Sequence, residues 1–343
     1  MSTEKTLETK LARLRTQPGA DVFILADAKD ADMAWGVPST GTRWPAVDGK
    51  SARYSMDEYV EQIREIVRQG LVDLVLASVS TMSLLAQREK LFEQSTVTPA
   101  IRANDTTDIW LSRGAQYHQS ASRPFATCDL REAQYGRITS APSTLSPIVN
   151  LGLYSVTFNH DLKRDRETLL AFKAFRRDCA DCGFRYFLEV FAPNVATRIA
   201  PETLPGFIND QIVRTLAGVA REHRPEFLKI PYLGARWLDE LVSFDSSLIV
   251  GILGGASGTT HDAFALLAEA KKYGARVALY GRKIKDSEHP LTFVAHLRQV
   301  ADGQLAPAEA VRSYHAALAV LKIAPKRSVD EDLALTSPES HYK

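Results

Sequence analysis

The sequence predicts an α/β fold, a (β/α)8 TIM barrel with long inserts after strands 1 and 3. Short runs rich in Val, Ile, Leu and Phe alternate with longer segments whose apolar residues recur about every 3.6 residues, the pattern of βα units around a parallel sheet. Eight such runs occur. The first βα turn lacks the G-x-G-x-x-G pattern of dinucleotide-binding folds, which disfavours an open doubly wound sheet.

The predicted strands are bounded by turn-forming residues and are short enough for a barrel. They cover residues 22–27, 72–78, 98–103, 149–155, 185–191, 226–230, 248–253 and 276–280. Helices are predicted between them, over residues 56–69, 164–182, 205–221, 260–272 and 290–301. Within 164–182, apolar residues at three- and four-residue steps form one buried stripe.

The chain has 343 residues, with 45% hydrophobic and 24% charged residues and a net charge of +1, as expected for a soluble globular protein. Balanced charge disfavours nucleic acid and membrane surfaces as partners. The first 15 residues predict a polar helix without the apolar core of a signal peptide, and the three cysteines fit a reducing compartment, so a cytoplasmic location is expected. A homo-oligomer is the default assembly.

Residues 1–324 are predicted to form one barrel domain with an N-terminal helix, and residues 325–343 a polar, flexible tail that is either disordered or loosely docked. Two long segments, 35–55 and 104–147, follow the first and third strands. Both leave the carboxyl end of the barrel, where barrel enzymes place their active sites. They predict either a lid or oligomer contacts, and the sequence alone does not separate the two.

Lys229 is the one charged residue in the apolar run from Phe227 to Pro231. Desolvation disfavours the ammonium form of a lysine among apolar walls and makes its amine more nucleophilic near neutral pH, which suits imine formation. A lysine at a strand end can also extend its amine to water, so the run by itself leaves both interpretations open.

Strand alternation predicts that Lys229 points into the barrel with Phe227. Glu189 interrupts the apolar run of the fifth strand just before its end, and Asp27 ends the first strand. Because the carboxyl ends of barrel strands meet at one rim, we expect Lys229, Glu189 and Asp27 to converge there as catalytic residues. An interior salt-bridge network that only stabilises the barrel is the alternative.

A glycine-rich turn follows the seventh strand and includes Gly254, Gly255 and Ser257, and the eighth strand ends in Gly281 and Arg282. Glycines let backbone N–H groups approach an anion, and the loops after strands seven and eight are the usual phosphate site of such barrels. These residues are therefore predicted to bind a phosphate, with plain turn residues as the alternative. No histidine cluster has metal-ligand spacing, so neither a metal nor another cofactor is expected.

The sequence resembles the class I aldolase barrels, namely tagatose-bisphosphate and sulfofructose-phosphate aldolases, and more distantly archaeal-type fructose-bisphosphate and deoxyribose-phosphate aldolases. The resemblance covers residues 149–301 and rests on four short motifs: Phe187-Leu188-Glu189-Val190, Phe227-Leu228-Lys229-Ile230, Gly254-Gly255 and Gly281-Arg282. It implies a Schiff base between Lys229 and a ketose phosphate or related sugar phosphate, with Glu189 moving protons and Asp27 orienting the lysine or a hydroxyl. The implied partner is a phosphorylated sugar.

Two positions depart from the tagatose-bisphosphate aldolase pattern. The resembling enzymes have a lysine on strand four, where the best match here is Asn150, and a polar residue where this chain has Ala28. Lys29, Arg102 and Tyr154 are candidate replacements. The competing hypothesis is a barrel that binds a sugar phosphate without lysine chemistry, as an isomerase or a catalytically silent binding protein.

Overall fold

Eight parallel strands close into a barrel in the computed structural model, which describes residues 3–45, 52–138, 146–255 and 258–336. The barrel strands are β1 (Ile24–Lys29), β2 (Leu74–Ala77), β3 (Thr98–Arg102), β6 (Leu151–Thr157), β7 (Arg185–Phe191), β8 (Leu228–Ile230), β9 (Val250–Leu253) and β10 (Val277–Tyr280). Around the barrel the strand order is β1-β10-β9-β8-β7-β6-β3-β2, and β2 pairs with β1. All eight predicted strands are confirmed.

The long segment after β3 contains a separate antiparallel pair, β4 (Asp105–Thr106) and β5 (Pro124–Phe125). The α-helices of the described chain are α1 (Thr6–Thr16), α2 (Ala31–Trp35), α3 (Met56–Gln69), α4 (Val79–Met82), α5 (Leu130–Tyr135), α6 (Leu162–Cys182), α7 (Leu204–Ala217), α8 (Ala235–Phe244), α9 (Thr260–Lys272), α10 (Arg282–Lys285), α11 (Pro290–Ala301), α12 (Pro307–Val320) and α13 (Val329–Leu333). No helix in the described ranges is long and apolar enough to span a membrane.

Local signals explain where the helices begin and end. Ser55 and Glu58 form a reciprocal capping box at the start of α3, and Asp161 accepts a backbone hydrogen bond at the start of α6. Both helices end at a glycine in the left-handed conformation, Gly70 and Gly183. The predicted bounds of α3, α9 and α11 agree with the structure, whereas the helix predicted over residues 205–221 ends at Ala217 as α7.

Helix α1 closes the amino-terminal end of the barrel. Although its composition is polar, the helix carries an apolar stripe of Leu7, Leu11 and Leu14. All three leucines are buried against residues inside the barrel such as Ile24 and Val277. Burial of three leucines stabilises this contact by several kcal/mol, at about 1.5–3 kcal/mol for each side chain. Helix α1 does not cover the carboxyl end of the barrel, where a functional site is expected.

The described part of the tail is docked on the barrel. Helix α13 docks on the start of α9, where the Asp332 carboxylate accepts hydrogen bonds from Thr260 N at 2.7 Å and His315 Nε2 at 2.9 Å. Thr259 Oγ1 also donates to Ala334 O at 2.7 Å. Of the two states left open for the tail, the docked one has structural support in its described part, where buried polar contacts hold Asp332 and Ala334.

Replacing Asp332 by alanine is expected to lower the free energy of unfolding by about 2 kcal/mol, because a buried backbone N–H and His315 lose their acceptor. Urea unfolding measures the loss, and limited proteolysis reports release of the tail. Asp330→Ala, at an exposed position of the same helix, is the matched control. Equal stability of the two variants would contradict the assignment.

Candidate active site

Three polar side chains lie in one row across neighbouring barrel strands. Strand register pairs Ser155 of β6 with Glu189 of β7, and Glu189 with Lys229 of β8. Lys229 Nζ lies 2.6 Å from Glu189 Oε1, and Ser155 Oγ donates to Glu189 Oε2 at 2.6 Å. The side chains of Lys229 and Glu189 are only 7% and 1% exposed. The predicted inward direction of both side chains is confirmed. The pair is buried except where it lines the cavity.

Arg102 of β3 and Asp30, just beyond β1, brace this row. Arg102 donates to Asp30 through Nε, to Ser155 Oγ through Nη1 at 3.0 Å, and approaches Glu189 Oε2 at 3.5 Å. The Ser155 backbone is held by Asn104, whose Oδ1 accepts from Ser155 N at 2.6 Å and whose Nδ2 donates to Ser155 O at 2.9 Å. The Glu189 carboxylate is therefore held from two sides before any substrate arrives.

The buried charges in this part of the barrel balance. Burial opposes ionisation of Asp30, but the charges of Arg102 and Lys229 and the hydrogen bond from Arg102 outweigh it, so the pKa of Asp30 is lowered. Burial likewise opposes the charge of Arg102, but Asp30 and Glu189 raise its pKa. Two cations and two carboxylates, Asp30 with Arg102 and Glu189 with Lys229, then share the site.

A cavity of about 230 Å³ opens at the carboxyl end of the barrel beside Lys229. Gly254, Gly255, Gly281 and Arg282 all line it, as the sequence predicts for a phosphate site. The Lys285 side chain lines it as well. The predicted phosphate-binding residue Ser257 lies outside the described residues.

Two of these glycines are required by close backbone packing. A Cβ on Gly281 would lie 2.6 Å from Ala28 O, and a Cβ on Gly254 would lie 2.3 Å from Tyr280 Cδ1. Gly255 has a φ of 74°, which L side chains adopt with strain. Packing within the barrel therefore accounts for Gly254 and Gly281, and both residues also line the cavity.

Two cationic side chains make cation–π contacts with Trp35 at the edge of the cavity. The Arg282 guanidinium carbon lies 5.7 Å from the ring centroid and Lys285 Nζ lies 5.9 Å from it. Lys285 Nζ also donates to Ser39 O at 2.9 Å. Burial lowers the pKa of Lys285 despite the neighbouring Asp286. This arrangement places positive charge beside the glycines, which suits an anionic group.

Both long segments contribute walls to the cavity. The β1 segment (residues 30–45 and 52–55) supplies Ala34 and Trp35, and the β3 segment (residues 103–138 and 146–150) supplies Ile109 and Leu111. The two segments meet where Leu111 N donates to Ala34 O at 2.8 Å. Of the two roles left open by the sequence, covering the site therefore has structural support.

Asp27 does not join the site. It faces outward from β1 with Phe23 and Leu25, toward the layer between strands and helices. Its Oδ2 lies 3.3 Å from Lys29 Nζ, and both side chains are fully buried. Burial raises the pKa of Asp27 to about 6, against the opposing charge of Lys29. The prediction that Asp27 converges with Lys229 is wrong, because alternation along β1 turns Ile24, Ala26 and Ala28 inward and Asp27 outward.

Asn150 and Tyr154 also lie elsewhere. Asn150 precedes β6 at the far end of the barrel and donates to Gly183 O at 3.0 Å. Tyr154 faces outward and stacks on Phe175 with ring centroids 4.2 Å apart. The strand-four residue at the site is Ser155, whose inward parity with Leu151 and Leu153 could have been read from the sequence.

Asp105 lies just beyond Arg102 and is buried, with no hydrogen bond to its Oδ1 within the described chain. Burial raises its pKa to about 6, although the charge of Arg102 opposes this shift. Since the folded state then binds more protons than the unfolded state between about pH 4 and 6, Asp105 lowers stability as the pH rises through that window.

Asp105→Asn is therefore expected to be more favourable at pH 8 than at pH 4.5, by about 1–2 kcal/mol in the free energy of unfolding. Urea unfolding at the two pH values measures the difference. Asp239→Asn, at an exposed position of α8, provides the control. The same change in stability at both pH values for Asp105→Asn would rule out the shift.

No protein-family model matches the chain, and no curated protein matches it by sequence. Solved structures do match. The fructose-bisphosphate aldolase from Slackia heliotrinireducens DSM 20476 is 14% identical with a TM-score of 0.63, covering 96% of this chain and 93% of that chain. An archaeal fructose-1,6-bisphosphate aldolase, solved with its catalytic Lys covalently bound to the carbinolamine intermediate of the substrate, is 16% identical with a TM-score of 0.58, covering 87% of this chain and all of that one.

A further archaeal fructose 1,6-bisphosphate aldolase is 15% identical with a TM-score of 0.56, over 87% of this chain and all of that chain. At these identities the likeness establishes the fold. The chain has the closed eight-stranded parallel barrel of the archaeal-type, Schiff-base aldolases. The predicted resemblance to the class I aldolase barrels is confirmed at this level.

Proposed function

We propose that the protein is a class I aldolase, a lyase that cleaves or forms a ketose phosphate or related sugar phosphate through a Schiff base on Lys229. One observation carries the proposal: a buried lysine amine 2.6 Å from a buried carboxylate opens on the same cavity as Gly254, Gly255, Gly281 and Arg282. Lysine nucleophiles need desolvation and a nearby acid or base, and both are supplied here.

The reaction begins when Glu189 takes a proton from the Lys229 ammonium, and the neutral amine so formed adds to the substrate carbonyl carbon. The carbinolamine formed loses its oxygen as water, with Glu189 donating the required proton, and leaves a protonated imine. Glu189 is suited to this role because its carboxylate reaches the amine directly and is held by Ser155 and Arg102.

The iminium is an electron sink for carbon–carbon cleavage. A base removes the proton of the hydroxyl on the fourth carbon, the bond between the third and fourth carbons breaks, and its electron pair forms an enamine on Lys229. The aldehyde leaves, the third carbon is protonated, and water hydrolyses the imine to release the ketone. Glu189, 2.6 Å from the amine, is our candidate for these proton transfers.

The phosphate of the ketone half is assigned to Gly254, Gly255, Gly281 and Arg282, with Lys285 added to the residues expected from the sequence. Backbone N–H groups at glycines and a nearby guanidinium recognise tetrahedral anions. Asp30 replaces Asp27 as the carboxylate near the first strand, where it orients Arg102. No group of three or more His, Cys, Asp or Glu side chains that could hold a metal ion occurs among the described residues.

Reduction by borohydride tests the proposal. The protein is incubated with dihydroxyacetone phosphate and borohydride, and peptides are mapped by mass spectrometry. We expect an irreversible adduct on Lys229 that depends on both reagents. Absence of an adduct with this ketone, at a concentration where the protein binds it, would favour a barrel that binds sugar phosphates without lysine chemistry.

A further inference from the structure

The cations of the cavity lie on one side of Lys229. In the strand order, β8 has β9 and β10 on one flank and β7, β6 and β3 on the other. Arg282 and Lys285 follow β10, next to Gly254 and Gly255, which follow β9. A phosphate bound there occupies one flank of the lysine.

The other flank has apolar walls. Phe191 ends β7, and Ile109 and Leu111 belong to the β3 segment; all three line the cavity. Among the described lining residues, Arg102 is the one cation on that flank. It already contacts Asp30 and Glu189.

A second phosphate on the β7, β6 and β3 side of Lys229 would lack a cation free to pair with it among the described lining residues. Arg102 is only 7% exposed at its side chain and donates to Asp30 and Ser155, so it has little capacity left for a ligand. Glu189 and Asp30 add two carboxylates to the same region, and like charges disfavour a dianion. Leaving a charged group against apolar walls also costs several kcal/mol unless it is paired.

The cavity is also small. Its volume of about 230 Å³ is below the roughly 300–1,000 Å³ typical of ligand pockets. The hydrogen bond from Leu111 N to Ala34 O joins the two segments that line it.

We infer that the site takes a carbonyl substrate with a single anionic end group, and that the aldehyde half is short and uncharged. The inference rests on the proposed function and names its substrate class, a ketose monophosphate with the phosphate on the ketone half. It separates this chain from the structural neighbours, which are named for a bisphosphate.

Binding to the Lys229→Met protein tests the inference without turnover. Isothermal titration compares fructose 1-phosphate with fructose 1,6-bisphosphate. We expect the second phosphate to leave the dissociation constant within about threefold or to weaken binding, because none of the described residues lining that flank is a free cation. A bisphosphate that binds tenfold or more tightly than the monophosphate overturns the inference.

A gain of charge tests the same point from the opposite direction. Leu111→Arg in the Lys229→Met background adds a cation to the apolar wall, and Leu111→Gln is the uncharged control of similar length. We expect the arginine variant to bind fructose 1,6-bisphosphate about tenfold more tightly than the glutamine variant, with no matching gain for fructose 1-phosphate. Equal affinities in the two variants contradict the position assigned to the aldehyde half.

The outcome is distinguishable from failure of the lysine chemistry. If neither sugar phosphate binds, the phosphate site and this inference are both wrong. Borohydride trapping of unphosphorylated dihydroxyacetone on the wild-type protein then still decides whether Lys229 forms an imine, because that ketone does not depend on the phosphate site.

Discussion

The Lys229→Met variant is expected to lose aldol cleavage by about 10⁶-fold, the size of effect seen when a covalent nucleophile is removed. Methionine fills nearly the same space but cannot form the imine, so the carbon–carbon bond loses its electron sink. Glu189 retains Ser155 and Arg102 as partners, so the variant keeps a neighbour for its buried carboxylate. Steady-state cleavage rates and borohydride trapping measure the loss.

Lys229→Arg is the matched control for charge. Arginine keeps a cation beside Glu189 but stays protonated and does not form imines at neutral pH. If the amine acts by covalent chemistry, both variants are inactive and neither is trapped. Activity in the arginine variant would show that only the positive charge matters, and would sink the Schiff-base proposal.

Glu189→Gln is expected to lower kcat by about 10²–10⁴-fold, the usual range for loss of a general acid or base. Glutamine can still accept a hydrogen bond from Ser155, so the row of side chains keeps its shape. Lys229 remains able to form the imine slowly. We therefore expect the trapped adduct to accumulate at a reduced rate while cleavage falls much further.

Pre-steady-state trapping separates these two steps. Ser155→Ala is the companion variant, because it removes one hydrogen bond to Glu189 at 2.6 Å and leaves the carboxylate in place. Its expected loss is smaller, about tenfold, in line with one hydrogen bond to a charged group. A Glu189→Gln protein that cleaves at the wild-type rate would remove Glu189 from the mechanism. Thermal unfolding of each variant controls for loss of the fold.

Much of the site could be predicted because strand parity is informative where one side of a strand is unusual. In β8, Lys229 is charged while Leu228 and Ile230 pack on the outer layer, so its direction follows from alternation. Glu189 follows the same logic on β7. The glycines and Arg282 could be predicted because their position after the last two strands fixes which end of the barrel they occupy.

Side-chain alternation along β1 did not predict the direction of Asp27 correctly, for a physical reason. A strand of a parallel barrel is buried on both sides, so Phe23 and Leu25 on one side and Ile24 and Ala26 on the other read alike. Asp27 and Asp30 are therefore equally plausible from the sequence. Only the closed barrel shows that the side with Ile24 and Ala26 faces inward.

The sequence by itself determined the eight βα units and the direction of the lysine and its carboxylate, because hydrophobic period and strand alternation are local properties of the chain. The tertiary structure decided which groups surround that pair. Arg102 and Ser155 lie 53 positions apart in the sequence, yet closure of the barrel puts them within 3.0 Å. It also decided that Asp332 is buried against His315 in an otherwise polar tail, since pairing of polar groups over such distances depends on packing and leaves no periodic pattern in the sequence.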